Sequence, residues 1–267
     1  MSFVPIPRED DTQLTDDAVL GGRLRLTQPR SGHRVGHDAI LLAAAVKAHA
    51  GEHAVDLGAG VGAAGLALAQ RVPGLKVTLV EIEPELSRLA AENSRRNGLS
   101  EYVQAVTLDV AAPARAYAAA GLPPSSVDHV LMNPPFNDPR QQQVSPDARK
   151  RAAHAARTDP AATLGLWVRT AARLLRPAGS LTLIWRADGL ADVIAALKRG
   201  FGEIAVLSVH SAPAKPAIRI LVRAVKGSRA PLALIPGLVL NDEAGRPSDA
   251  AEAVLRNGAV LSLAQNQ

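Results

Sequence analysis

Three alternating glycines behind a short apolar run constrain this chain more than any other feature. In Val55-Asp56-Leu57-Gly58-Ala59-Gly60-Val61-Gly62, a buried-strand pattern over 52–57 ends beside an acid and breaks into a turn. Glycine reaches backbone angles closed to other residues and lets another group approach the chain with no Cβ in the way. Ala63 to Gln70 then reads as the start of a helix. Strand, glycine turn and helix N-terminus in that order form the nucleotide-binding corner of an open α/β sheet.

The spacing alone does not name the nucleotide. Gly60-x-Gly62-x-x-Gly65 satisfies the dinucleotide fingerprint, and Glu81 follows about twenty residues later, as a ribose-binding acid does. Two further acids favour S-adenosylmethionine: Asp56 at the strand end, and Asp109 closing the third apolar strand. In such a site Gly58, Gly60 and Gly62 pass beside the amino-acid part of the cofactor. Glu81 accepts the ribose hydroxyls, Asp109 accepts from the adenine amino group, and Ile82 and Val110 adjoin them. Each acid taken singly also reads as an ordinary polar strand end; the three in order argue for the site.

From residue 51 strands and helices alternate, which predicts a mainly parallel sheet with right-handed crossovers. Strands are expected at 53–57, 75–81, 103–109, 127–132, 180–185, 204–209 and 217–224, giving seven. Pro84 at a helix start and Gly98 after Asn97 bracket one of the helices. Asp56, Glu81, Asp109 and Asn133 then all fall at the carboxyl edge of the sheet, where such folds bind ligands.

Upstream, residues 1–18 hold prolines and the acids Glu9-Asp10-Asp11 and Asp16-Asp17, and read as a flexible lead-in. Leu24 to Gln28 alternates like a strand, and Pro29-Arg30-Ser31-Gly32 turns it back toward His33-Arg34-Val35 as a hairpin. A helix follows from Gly36, with Asp38 serving either as its N-terminal acid or, with Gly36, as a contact for the amino-acid end of the cofactor. The expected division is 1–35 lead-in and hairpin, 36–230 the nucleotide-binding domain, and 231–267 a strand-and-helix extension.

Charge enters as support only. The net charge is +5 and the sequence pI near 10.0, a balance that favours a polyanionic partner. The chain has no cysteine, which removes disulfides, thiol nucleophiles and cysteine-based zinc sites, and its seven histidines show no metal-ligand spacing, so no metal is expected. No apolar run approaches the roughly 18–20 residues of a membrane span, so the protein is expected to be soluble, cytoplasmic and without a membrane partner.

The most specific motif is Asn133-Pro134-Pro135-Phe136, directly after the strand Val127 to Met132. Two prolines fix φ and remove backbone donors, leaving carbonyls that can only accept. The Asn133 amide oxygen adds an acceptor, so the motif can hold both protons of an exocyclic NH2 group, while Phe136 offers a ring on which a planar base stacks. The unpatterned stretch Asn137 to Pro160, with Arg140, Arg149, Lys150 and Arg151, reads as a substrate-covering loop. Lys215 and Arg219 belong to a second basic stretch facing the same nucleic acid; a solvated charged surface is the plainer reading of both.

Asn133-Pro134-Pro135-Phe136 resembles the N-P-P-[FY] motif of class I S-adenosylmethionine-dependent methyltransferases acting on amino groups of planar systems, and the resemblance extends over about 33 to 225. It implies a Rossmann-like, seven-stranded, mostly parallel α/β sheet. It also implies adenine or cytosine amino methylation in DNA or RNA, guanine-N2 methylation in ribosomal RNA, or glutamine methylation in release factors. Leu24 to Arg30 followed by Gly32 to Leu42, with its Gly36-x-Asp38-x-x-Leu41-Leu42 segment opening into the cofactor strand, is similar to the lead-in of bacterial adenine-N6 methyltransferases of a valine tRNA. Transfer to adenine N6 in tRNA is therefore the expected reaction. The rivals are the other amino acceptors, a non-catalytic RNA-binding relative, and a nicotinamide oxidoreductase, for which no proton relay is evident.

Overall fold

In a computed structural model, residues 14–30, 35–135 and 160–263 are described. Ten strands and seven α-helices are present among them. β1 (Leu14–Val19) and β2 (Leu24–Pro29) precede α1 (His37–Ala45); β3 (His53–Leu57), α2 (Ala63–Arg71), β4 (Lys76–Glu81), α3 (Pro84–Arg96), β5 (Val103–Thr107), α4 (Ala114–Ala119) and β6 (Val127–Met132) follow. α5 (Pro160–Leu174), β7 (Leu175–Arg186), α6 (Leu190–Leu197), β8 (Phe201–His210), β9 (Ala217–Lys226), β10 (Ala233–Val239) and α7 (Asp249–Leu255) complete the described chain.

The main sheet runs β10-β8-β9-β7-β6-β3-β4-β5. Every pair is parallel except those of β9, which is antiparallel to both β7 and β8. The mostly parallel α/β sheet is as expected, with eight strands rather than seven. The eighth, β10, comes from the 231–267 segment and lies parallel to β8 at the edge. Ser248 ties this segment together: its hydroxyl donates to Val239 O at 2.6 Å and accepts from Ala251 N at 3.1 Å, capping α7.

β3, β4 and β6 are near-continuous apolar runs because both faces of the sheet are covered. One core cluster joins the hairpin, α1, α2 and α7 to one face; the other packs α4, α5 and α6 on the opposite face. β7 starts earlier than the expected 180: Leu175 pairs with Val127, and a bulge over Arg176–Gly179 restores the register at Ser180 opposite His129. Pro177, Ala178 and Gly179 therefore lie in an irregularity within a strand.

The hairpin differs from expectation. β2 pairs antiparallel with β1 upstream, Leu14 through Val19 facing Pro29 through Leu24. Residues 31–34, which include most of the expected partner strand, lie outside the described residues, as do 1–13. The acids that made 14–18 look unstructured are matched across the fold. Asp16 meets Arg25 at 2.7 Å and Arg96 at 2.6 Å, and Asp17 accepts from Thr15 and Gln28, each at 2.7 Å. The Arg25 and Arg96 hydrogen bonds hold the Asp16 carboxyl below its ordinary pKa.

Two asparagines one turn apart on α3 and at its end seat the hairpin. Asn93 accepts from Thr27 N at 2.7 Å and donates to Thr27 O at 3.0 Å; Asn97 accepts from Arg25 N at 2.9 Å and donates to Arg25 O at 2.7 Å. Their side chains pair with alternate residues of β2 much as a neighbouring strand does. Asn93, fully buried, also donates to Val61 O at 3.0 Å and so joins the hairpin to the glycine turn. Asn93→Ala leaves buried backbone groups unpaired, each worth roughly 1–3 kcal/mol. The variant is expected to unfold about 2 kcal/mol or more below the parent in urea, with amide exchange fastest over 24–29. Unchanged exchange in β2 would rule out this anchoring role.

Candidate cofactor and substrate site

The glycine turn forms because Val80 O accepts from both Gly58 N (2.8 Å) and Ala59 N (3.0 Å), folding the chain back over the end of β4. Gly58, Gly60 and Gly62 all have positive φ, at 69°, 57° and 89°. Their surroundings differ. A Cβ at Gly62 would lie 2.8 Å from Leu79 Cδ1, and one at Gly65 2.3 Å from Leu79 Cδ2, so these two let α2 pack against β4. A Cβ at Gly60 would meet nothing within 4 Å. Gly60 is thus the open rim of the turn, where the backbone is unobstructed.

Glu81 braces that rim. It is buried at the end of β4, accepts from Gly60 N at 2.7 Å through Oε2 and from Glu83 N at 3.0 Å through Oε1. Each carboxylate oxygen keeps lone-pair capacity for a ligand hydroxyl. Ile82, next along, is 55 % exposed, an apolar surface beside the acid. Leu108 N donates to Glu81 O at 2.9 Å, bringing the Asp109 loop alongside. Asp109 is exposed and uses Oδ1 to accept from Ala111 N at 2.8 Å, which leaves Oδ2 as an acceptor. Val110, behind it, is buried.

Asp56 plays a different part from the one its position implies. Its carboxylate is only 3 % exposed and points beneath the turn, accepting from Gly65 N at 2.8 Å at the start of α2. It anchors the helix that follows the turn.

Asn133 stands beside Gly58 across the β3–β6 pairing, where Leu57 faces Met132. Its side-chain oxygen is buried and has no hydrogen-bond partner among the described residues. Buried acceptors are nearly always satisfied, so this oxygen has a free lone pair that an incoming donor could use. Pro134 is buried and Pro135 exposed. Phe136, Arg140, Arg149, Lys150 and Arg151 lie outside the described residues.

At the other half of the carboxyl edge, two expected contacts from different classes meet each other. Asp38, in the first turn of α1 after Gly36, pairs with Arg219 of β9 at 2.9 Å. Lys215 is exposed in the turn between β8 and β9, and its carbonyl accepts from His210 Nδ1 at 2.8 Å.

A family model described as methyltransferase small domain matches residues 31–212. The chain belongs to this family. It is 30 % identical over 175 residues to the tRNA1(Val) (adenine(37)-N6)-methyltransferase of Porphyromonas gingivalis, covering 64 % of this chain and 66 % of that protein. The enzyme of the same name from Dickeya chrysanthemi is 26 % identical over 234 residues, covering 85 % of this chain and 88 % of its own length. The chain thus spans just under two thirds of the length of the first of these relatives. Among solved structures, a predicted O-methyltransferase from Agrobacterium tumefaciens superposes with a TM-score of 0.70 at 31 % identity, over 84 % of this chain and 98 % of that one.

Within this methyltransferase domain several positioning residues carried no motif. Tyr117 donates to Asp109 O (3.3 Å) and Val110 O (3.4 Å), Thr170 donates to Val110 O at 3.0 Å, and Arg173 donates to Ala112 O at 3.0 Å. The Arg173 guanidinium lies 5.0 Å from the centre of the Tyr117 ring. Burial pushes the Tyr117 hydroxyl up to about 12, so it acts as a fixed donor. The i, i+4 spacing of Asn93 and Asn97 could have signalled the seat of the hairpin; the Tyr117, Thr170 and Arg173 contacts had no such signal.

Burial, with the nearby Glu81 charge, raises the Asp56 pKa from 3.8 to about 7 despite the Gly65 bond. Between those values the folded chain keeps a proton that the unfolded chain has lost. Stability therefore falls as pH rises through that interval and levels off above it. Asp56→Asn keeps an acceptor for Gly65 N and removes this slope. Urea midpoints measured at pH 5 and pH 8 are expected to move in favour of the variant at the higher pH; a difference independent of pH would contradict it.

Proposed function

We propose that the protein is an S-adenosylmethionine-dependent methyltransferase that modifies the exocyclic amino group of a nucleobase, adenine N6 in tRNA. The observation that carries the reading is the buried side-chain oxygen of Asn133 beside the glycine turn, without a partner among the described residues.

The donors and acceptors at the carboxyl edge fit the cofactor. Gly60 leaves its backbone open, Glu81 presents both oxygens to ribose hydroxyls, and Asp109 keeps Oδ2 for the adenine amino group. When bound, S-adenosylmethionine supplies a methyl group on a sulfonium, already a good leaving group. Asn133 accepts one proton of the target NH2 and the Pro134 carbonyl provides a second acceptor, so the nitrogen lone pair is held toward the methyl donor. Such positioning supplies roughly 7–11 kcal/mol of a barrier. The surplus proton leaves to water afterward.

Two acceptors side by side suit an amino group, with two protons, better than a hydroxyl with one. This favours N-methylation over the O-methylation for which the Agrobacterium tumefaciens protein is named. The relatives' names point to tRNA, and the net charge of +5 suits a polyanion. An adenine in a stacked loop must be flipped out at a cost of a few kcal/mol, and Phe136, next in sequence after the prolines, brings a ring suited to stacking on it. A tRNA substrate places the enzyme in the cytoplasm; none of the described helices is long and apolar enough to cross a membrane.

Labelled S-adenosylmethionine incubated with separate pools of unmodified tRNA, ribosomal RNA, DNA and protein, followed by nucleoside mass spectrometry, is expected to yield N6-methyladenosine in tRNA alone. Label in another pool would transfer the reading to guanine-N2, DNA adenine or glutamine. Asn133→Ala is expected to lower kcat about 10²-fold, as loss of one preorganised hydrogen-bonding group does, with cofactor affinity within about threefold of the parent. Equal losses in both would remove Asn133 from the transfer step.

A further inference from the structure

The Gly58 φ of 69° is one reason for glycine there, and the structure shows a second. A Cβ at Gly58 would lie 2.3 Å from Cη2 and 3.0 Å from Cζ3 of Trp167, so only glycine lets this indole rest against the turn. Trp167 comes from α5, the helix that follows the Asn133 motif in the chain. Leu164, Val168, Ala171 and Leu174 of that helix are buried, whereas Trp167 is only partly buried. Its contact with Gly58 sets the ring at the carboxyl edge of the sheet.

The same helix fastens the Asp109 loop through Thr170 to Val110 O and Arg173 to Ala112 O. Backbone bonds continue the contact: Gly58 N to Val80 O at 2.8 Å, and Leu108 N to Glu81 O at 2.9 Å. Trp167 thus stands where the ends of β3, β4 and β5 meet, with the open acceptor of Asp109 and the exposed apolar face of Ile82 on the same edge. A purine has a polar edge that seeks an acceptor and two faces that seek flat or apolar partners.

We propose that Trp167 is a cofactor-binding residue: its indole forms a wall of the pocket for the purine nucleoside half of the cofactor, with Asp109 reading the amino edge. This rests on the cofactor reading above. It gives Gly58 a specific duty, to admit the ring, and makes α5 the element that joins nucleoside binding to the Asn133 motif preceding it.

The chain has two tryptophans, and the second, Trp185, is only 3 % exposed in β7. Trp185→Phe therefore isolates the emission of Trp167. Titrated with S-adenosylmethionine or S-adenosylhomocysteine, this variant is expected to show a saturable emission change whose midpoint equals the Kd from calorimetry. Trp167→Phe, reporting only Trp185, is expected to show none while retaining most of the affinity. Trp167→Ala is expected to bind at least about fivefold more weakly, from the worth of one base–aromatic stack, with a thermal midpoint near the parent's. Calorimetric binding to the parent with a silent Trp167 and undiminished affinity in Trp167→Ala would overturn the inference and leave the cofactor reading intact. No calorimetric binding to the parent would overturn both.

Discussion

The Glu81 carboxylate, held 2.7 Å from Gly60 N, joins the end of β4 to the glycine turn after β3, and much of the site is placed from that junction. Val80 O takes the two amides that begin the turn, Asn93 takes the Val61 carbonyl in its middle, and Asp56 takes the Gly65 amide beyond it. Three neighbouring elements thus fix a segment whose positive φ angles any residue other than glycine would resist. The rim at Gly60 is left open, with nothing within 4 Å of where a Cβ would stand.

The opposite edge of the sheet is closed by a separate polar network. His129 of β6 bridges Ser180 Oγ at 2.8 Å and Glu52 Oε2 at 2.9 Å, and His53 contacts Thr78 Oγ1 at 2.9 Å while its backbone amide donates to Asp128. Ser180 and His129 are buried, and this serine–histidine–glutamate chain ties strand starts together. Burial raises the Glu52 pKa, but the His129 hydrogen bond and the His49 amide outweigh it and leave the carboxyl below its ordinary value. At the carboxyl edge, by contrast, Asp109 Oδ2 remains available as an acceptor and the buried Asn133 side-chain oxygen has no partner among the described residues.

Much of this was legible from local pattern. Val55 to Gly62 foretold the strand and turn, Pro84 and Asn97-Gly98 bracketed α3, and the order Asp56, Glu81, Asp109, Asn133 placed four strand ends on one edge. Those inferences succeeded because periodicity, proline and glycine act within a few residues of themselves. The hairpin was assigned to the wrong partner because Asp16 and Asp17 look unfavourable in a strand until Arg25, Arg96 and Gln28 are brought beside them. Similarly, the basic stretch around Arg219 and Arg223 contains no acid in sequence, yet Asp38 and Glu203 meet those two side chains at 2.9 Å and 3.1 Å.

By itself the sequence determined the α/β alternation, the glycine corner and the identity of the groups presented along one edge, since these follow from backbone chemistry and short-range spacing. Only the tertiary structure decided which of those groups face outward. Asp56 turns inward to Gly65, Asp38 is drawn to Arg219, and Asn133 is left without a partner among the described residues, although all three are polar residues at element ends. Orientation depends on what neighbouring elements place within hydrogen-bonding distance. For Trp167 against Gly58 or Asn93 against Val61, those neighbours come from parts of the chain that no local pattern connects.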